Sequence, residues 1–189
     1  MTLLTQDHPD PSAVEAREVA RERASSRRNH LRYRLTVMAT TPSEVVEFCG
    51  GWLFDHAMAG WDVSVHILDR GASTVPLEIL GTRVLDLRPS HALCTWTQWP
   101  QSLAISADLC HADERFQRAA AAALRARRAD VRLWGSQYPE ALEVGSAPDE
   151  HRVSNAALAF KRRALRAAGL PGDPVAAVEY FRFTQALPE

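Results

Sequence analysis

Lysine is nearly absent from this 189-residue chain: Lys161 is the single lysine among 22 basic residues. Arginine stands in its place beside abundant alanine, a usage that points to a high-GC bacterial coding bias. With 23 acidic residues the formal net charge is -1, so no overall field draws the chain to nucleic acid or to an acidic membrane. Cysteine is scarce too. Cys49, Cys94 and Cys110 are odd in number, scattered and without a CxxC pair, which fits reduced thiols in a cytoplasm better than a disulfide framework. No apolar run approaches the roughly 18–20 residues needed to cross a bilayer. Met1–Pro11 also lacks the apolar segment of a secretory signal. A cytoplasmic protein with no membrane partner is expected.

Chemical signatures are missing as well. Neither GxGxxG nor GxxxxGK[ST] occurs, and the seven histidines show no HxH or HExxH spacing. No cofactor and no metal site are therefore expected. Hydrophobic content of 46% and charged content of 24% are ordinary for a globular protein.

What the chain does have is an internal echo. Leu35 and Val37 lead to Asp62-Val63 and Val65; Leu103 and Ile105 lead to Asp130-Val131 and Leu133, 68 residues later. Leu35 to Val63 and Leu103 to Val131 are each 28 residues. Strand, crossover helix and returning parallel strand need about 30 residues, so two such units predict a three-layer α/β fold. The expected form is a Rossmann-like or flavodoxin-like, mainly parallel sheet of about five strands, with right-handed crossovers. Three segments follow: a basic arm over 1–30, flexible or helical; the α/β core over 31–137; and a loop and helical extension over 138–189.

Local signals place the elements. Ser12 and Glu15 have the form of a capping box at the head of a weakly apolar helix in the arm. Thr41-Pro42-Ser43-Glu44 combines an N-cap hydroxyl, Pro at N1 and Glu at N3, and predicts a helix to about Ala59. Leu77–Leu80 reads as a short strand or turn, Thr82–Leu87 as a third core strand. A helix is expected near Asp113–Arg128, another over Ser154–Ala168 with Lys161 interrupting its apolar face, and a last one at about Val175–Gln185 after the Pro171-Gly172-Asp173-Pro174 turn.

In such a sheet ligands sit beyond the carboxyl ends of the strands. The polar rim there supplies Asp69, Asp108, Cys110 and His111 as candidate catalytic groups, and Thr40, Thr41, Ser43 and Ser136 as candidate ligand-binding groups for a small anion. Each has a plainer reading. Thr41 and Ser43 serve equally as capping residues, Asp69 and Asp108 as solvated loop acids, and Cys110 as a structural thiol with no orienting partner beyond His111. Hydrolases of related architecture that use a metal place an acid at the end of the first strand, where this chain has Ala39-Thr40.

Gly50-Gly51 lies inside the first helix, and each mid-helix glycine costs about 1 kcal/mol relative to alanine. Close packing would compensate. The aromatics around it exceed one helical stripe, so Trp52, Phe54 and Trp61 are candidate anchors for a protein partner or a second copy of the chain, or contacts to the C-terminal helices. The expectation is a non-catalytic regulatory or scaffolding protein. The alternative is a small enzyme at the strand-end rim, and a third reading is an accessory nucleic-acid binder using the arm beside Trp96, Trp99 and Trp134, which the charge balance disfavours.

Overall fold

Alternating apolar residues at Leu35 and Val37 build the first strand, β1 (Arg34–Ala39), whose far half is buried on both faces as parallel strands are. The computed structural model describes residues 33–69, 71–87, 99–127, 129–135, 138, 139, 142 and 146–184. Described residues from Tyr33 onward belong to one compact unit. The expected arm lies outside them.

β1 leads into helix α1 (Pro42–Met58) through Thr41, whose hydroxyl accepts the Glu44 N–H. The returning strand β2 (Asp62–Ile67) pairs parallel to β1 with Leu35 opposite Val63. A short helix α2 (Val75–Ile79) and strand β3 (Arg83–Asp86) follow. The second unit gives β4 (Ser102–Ser106), helices α3 (Ala107–Ala112) and α4 (Glu114–Ala126), and β5 (Asp130–Trp134). Beyond it come β6 (Ala147–Arg152), helix α5 (Asn155–Ala167) and β7 (Val178–Thr184).

The sheet order is β3-β2-β1-β4-β5-β7-β6. The first five of these are parallel, and the β6/β7 pair is antiparallel, with β7 against β5. The three-layer, mainly parallel architecture agrees with the sequence reading, but the sheet has seven strands instead of about five. The surplus comes from the C-terminal segment. The helix expected at Val175–Gln185 is strand β7, and part of the expected link is strand β6. Likewise Leu77–Leu80 falls in α2 and its C-cap, and Asp108–His111 lies in α3, a helix the sequence reading placed in a loop.

Helices α1, α2 and α5 pack together over one face, closing a core of Val37, Val45, Trp52, Val65, Leu80 and Ala164 among others. On the other face α3 and α4 cover Met38, Leu103, Ile105, Phe116 and Leu133.

The lone lysine organises the first face. Lys161 is buried on α5 and lies 2.6 Å from Glu179 of β7, itself 3% exposed. Glu179 also accepts the backbone N–H groups of Gly51, at 2.8 Å, and Trp52, at 2.7 Å, while Lys161 Nζ donates to the Glu47 carbonyl at 2.7 Å. This arrangement accounts for Gly51. A Cβ on Gly51 would sit 2.5 Å from Val153 Cγ1 and 3.1 Å from Glu179 Oε1, leaving no room for the acid to approach. Compensation for Gly51 therefore comes from charged hydrogen bonds, each worth about 1.5–3 kcal/mol.

Candidate functional site

Strand order reverses between β1 and β4, the point at which open parallel sheets form a ligand crevice. Two residues meet there. Glu44, in the first turn of α1 just after β1, accepts a hydrogen bond from the hydroxyl of Ser106 at the end of β4. Both owe their positions to helix capping. Glu44 stands three residues after the N-cap Thr41 and its Oε2 accepts the Thr40 N–H at 3.3 Å. The Ser106 hydroxyl caps α3 by accepting the Leu109 N–H at 3.2 Å.

Burial perturbs the carboxyl. Burial raises the pKa of Glu44 above its ordinary value of 4.5, and the nearby charge of Asp108 adds to the rise. Hydrogen bonds from Ser106 and from the Thr40 and Thr41 backbone pull the other way without cancelling it. A carboxyl whose proton affinity is raised, at the carboxyl ends of the strands, is suited to proton transfer.

The sequence-derived candidates fall into several places. Asp108 is exposed on α3 and acts on Glu44 through its charge. Cys110, on the same helix, is 1% exposed, and burial pushes its pKa up to about 12, which disfavours the thiolate that a nucleophile needs. His111 is exposed on α3. Asp69 is exposed and closes an Asx turn by accepting the Gly71 N–H at 3.0 Å, while its own N–H donates to the Thr40 carbonyl. Thr41 is the α1 cap, Ser43 is half-buried in the first turn, and Ser136 lies outside the described residues. Among the described residues, no group of three or more His, Cys, Asp and Glu is placed to hold a metal ion.

The expected partner anchors pack within the chain. Trp52 is 1% and Phe54 4% exposed, because the aromatic surplus is met inside the chain: Trp52 packs on Phe181 at 5.2 Å and Phe54 stacks on Phe160 at 4.4 Å. Trp61, half-buried, stacks on Tyr33 at 5.1 Å.

A second polar cluster joins Asp55, His151 and Ser154. His151 Nε2 lies 2.8 Å from Asp55 Oδ2, and the Ser154 hydroxyl donates to Asp55 Oδ1 at 2.6 Å. The acid is thus the hub, and Ser154 is engaged with it while also capping α5 through the Ala157 N–H. A nucleophile and its base would bond each other. This cluster is a capping junction between α1 and the start of α5.

Glu44 and Ser106 were both missed in the sequence. Glu44 was visible only as the third member of a capping signal, and Ser106 only as the end of a strand. The signal that unites them is topological, since each lies where the two echoed units abut.

With this geometry in hand, similar structures are informative. A deacetylase from the teicoplanin biosynthesis pathway, in complex with teicoplanin, matches with TM-score 0.59 and 12% identity over 82% of this chain and all 100% of that one. N,N'-diacetylchitobiose deacetylase from Pyrococcus horikoshii matches with TM-score 0.54 and 11% identity over 96% of each chain. GalB, the 4-carboxy-2-hydroxymuconate hydratase from Pseudomonas putida, matches with TM-score 0.52 and 16% identity, over 83% of this chain and 97% of that one. The chain shares their fold. No protein-family model matches it, and no curated protein matches it in sequence. All three structural neighbours are enzymes by name, a finding that goes against the expectation of a non-catalytic regulatory or scaffolding protein. Among the described residues no helix is long and apolar enough to cross a membrane.

Proposed function

We propose that this chain is a small hydrolytic enzyme that cleaves an acyl–nitrogen bond in the crevice between β1 and β4. The observation that carries the reading is the perturbed carboxyl of Glu44, held by the Ser106 hydroxyl at the point where strand order reverses. Support for the reaction class comes from the two deacetylases that share the fold, by analogy at the level of fold alone.

The chemistry asked of the residues is proton transfer. Glu44 as carboxylate takes a proton from water while the water oxygen bonds to the acyl carbon. Glu44 then returns that proton to the amine nitrogen as the carbon–nitrogen bond breaks, giving a carboxylic acid and an amine. Ser106 holds the carboxyl in place through its hydroxyl, and the Asp108 charge keeps its proton affinity high. General acid–base catalysis by a placed side chain contributes about 10²–10⁴-fold in rate.

The test is release of free amine from a panel of N-acetylated sugars and amines. Glu44→Gln should lower kcat by at least about 100-fold with KM little changed. Full turnover in that variant would overturn the reading.

A further inference from the structure

Two hydrogen-bond donors at the carboxyl edge of the sheet are left without partners. The indole Nε1 of Trp134, at the end of β5, and the hydroxyl of Thr40, just past β1, are buried and unpaired. Trp134 is 0% exposed. Buried polar groups are nearly always satisfied, so each such group calls for an explanation.

Their placement supplies one. Trp134 is the Cα partner of Ser106 across the β4–β5 ladder. It belongs to the same core cluster as Ala104, which precedes Ser106 by two positions and therefore shares its face of the sheet. Trp134 and Ser106 thus stand side by side on the face that α1 covers, the face from which Glu44 reaches Ser106. Gly135 holds this end of β5 close to α3: its φ is +127°, and a Cβ there would lie 2.9 Å from that of Ala107. Thr40 is joined to the same carboxyl through its own N–H.

An indole N–H only donates, so the group missing beside Trp134 must be an acceptor. Charge narrows the choice. An anionic acceptor would stand next to Glu44 and within the field of Asp108, whereas a neutral carbonyl oxygen meets no such opposition.

We infer that Trp134 is a specificity-determining residue of the Glu44–Ser106 centre: its indole N–H binds a neutral amide carbonyl, so the site takes uncharged amides and rejects carboxylates. This rests on the reading of Glu44 and Ser106 as the reacting centre. It adds that the substrate, and not the carboxylic acid product, satisfies the orphaned donor, so the acid is released readily.

The experiment follows the indole N–H resonances of the ¹⁵N-labelled full chain, which has five tryptophans. Trp134→Phe identifies the Trp134 signal; should that variant fail to fold, sequential backbone assignment of the unmodified chain does so. N-acetylglucosamine or acetamide should shift the signal saturably, and acetate at equal concentration should leave it in place. Trp134→Phe, which keeps the ring and removes the donor, should weaken binding of the neutral probe about tenfold. A signal unmoved by either amide, one that responds equally to acetate, or one that shows magnetisation transfer from a resident water overturns the inference. In those cases a loss of amine release in Glu44→Gln leaves the hydrolytic reading standing, so the two fail separately.

Discussion

The Glu179 carboxylate accepts the Gly51 N–H at 2.8 Å in the middle of helix α1, far from either end. In an uninterrupted helix that N–H donates to the carbonyl four residues back, at Glu47. Here the Glu47 carbonyl also accepts from Lys161 Nζ, so a buried ion pair from α5 and β7 is joined to the backbone of α1 at this turn. Burial of two charges is tolerated because each finds an opposite charge and backbone groups of fixed geometry.

The first prediction concerns the two glycines, which should respond differently to alanine. Gly51→Ala meets Val153 Cγ1 at 2.5 Å, and overpacking of this kind costs about 1–3 kcal/mol, more than the roughly 1 kcal/mol gained in helix propensity can offset at the upper end. Gly50→Ala meets Leu80 Cδ1 at 3.3 Å, a softer contact, and should be close to neutral. Urea midpoints of the two variants decide this, and an equal loss in both would contradict it.

Breaking the ion pair should cost more than replacing it. Glu179→Leu strands the Lys161 ammonium and two amides, and Lys161→Met leaves an unpaired carboxylate; each should destabilise by about 3–5 kcal/mol. The double variant Lys161→Met, Glu179→Leu should recover part of the loss. Denaturation of the four proteins in a double-mutant cycle measures the coupling; simple additivity would mean that the pair carries none.

Acid should weaken the fold in two separate windows. Burial holds His56 below its ordinary pKa of 6.5, with the Arg132 and His151 charges adding to the effect and the Trp52 carbonyl and Asp55 opposing it. The unfolded chain then takes up a proton first, so stability present above pH 6.5 falls as pH drops through the folded value. For Asp55, burial pushes the pKa up, but the bonds from Ser154 and His151 outweigh it and hold the acid below 3.8, so its contribution is lost only under stronger acid. Urea midpoints across pH 7.5 to 5 should fall for the native chain and flatten in His56→Gln.

Glu44 should show the opposite sign. Its folded pKa lies above 4.5, so its contribution to stability is complete below that pH and is lost as pH rises through the folded value. Asp108→Asn should lower the Glu44 pKa by removing a neighbouring negative charge, as carboxyl ¹³C titration would read. Glu44→Gln should be at least as stable as the native chain at pH 7 while losing turnover, the signature of a residue kept at a cost to the fold.

Thiol chemistry offers a simple control. Cys49 and Cys110 are buried, and burial raises both pKa values, that of Cys110 to about 12. Neither should react with a thiolate-selective reagent at pH 8 in the folded chain, and both should react once it is unfolded, as peptide mapping would show.

Much of the scaffold was legible because the echo forced it. Leu35 with Val37, and Leu103 with Ile105, admit one spacing to their returning strands, and Thr41-Pro42-Glu44 announces α1 by three independent cues. The C-terminal third misled for one physical cause. Lys161 read as a break in an apolar helix face, and Glu179 fell in a segment read as a last helix, which is strand β7. Each residue makes sense only beside the other, and their sequence positions carry no mark of that partnership. The candidate site was legible as a location, the carboxyl rim, but its central acid was concealed behind a second role as a capping residue.

The acceptor for the Gly51 amide lies 128 residues further along the chain. When α1 emerges from the ribosome that carboxylate has not yet been made, and at about 5–20 residues per second the interval is several seconds or longer. The helix that carries Glu44 therefore gains this contact only once β7 has been made.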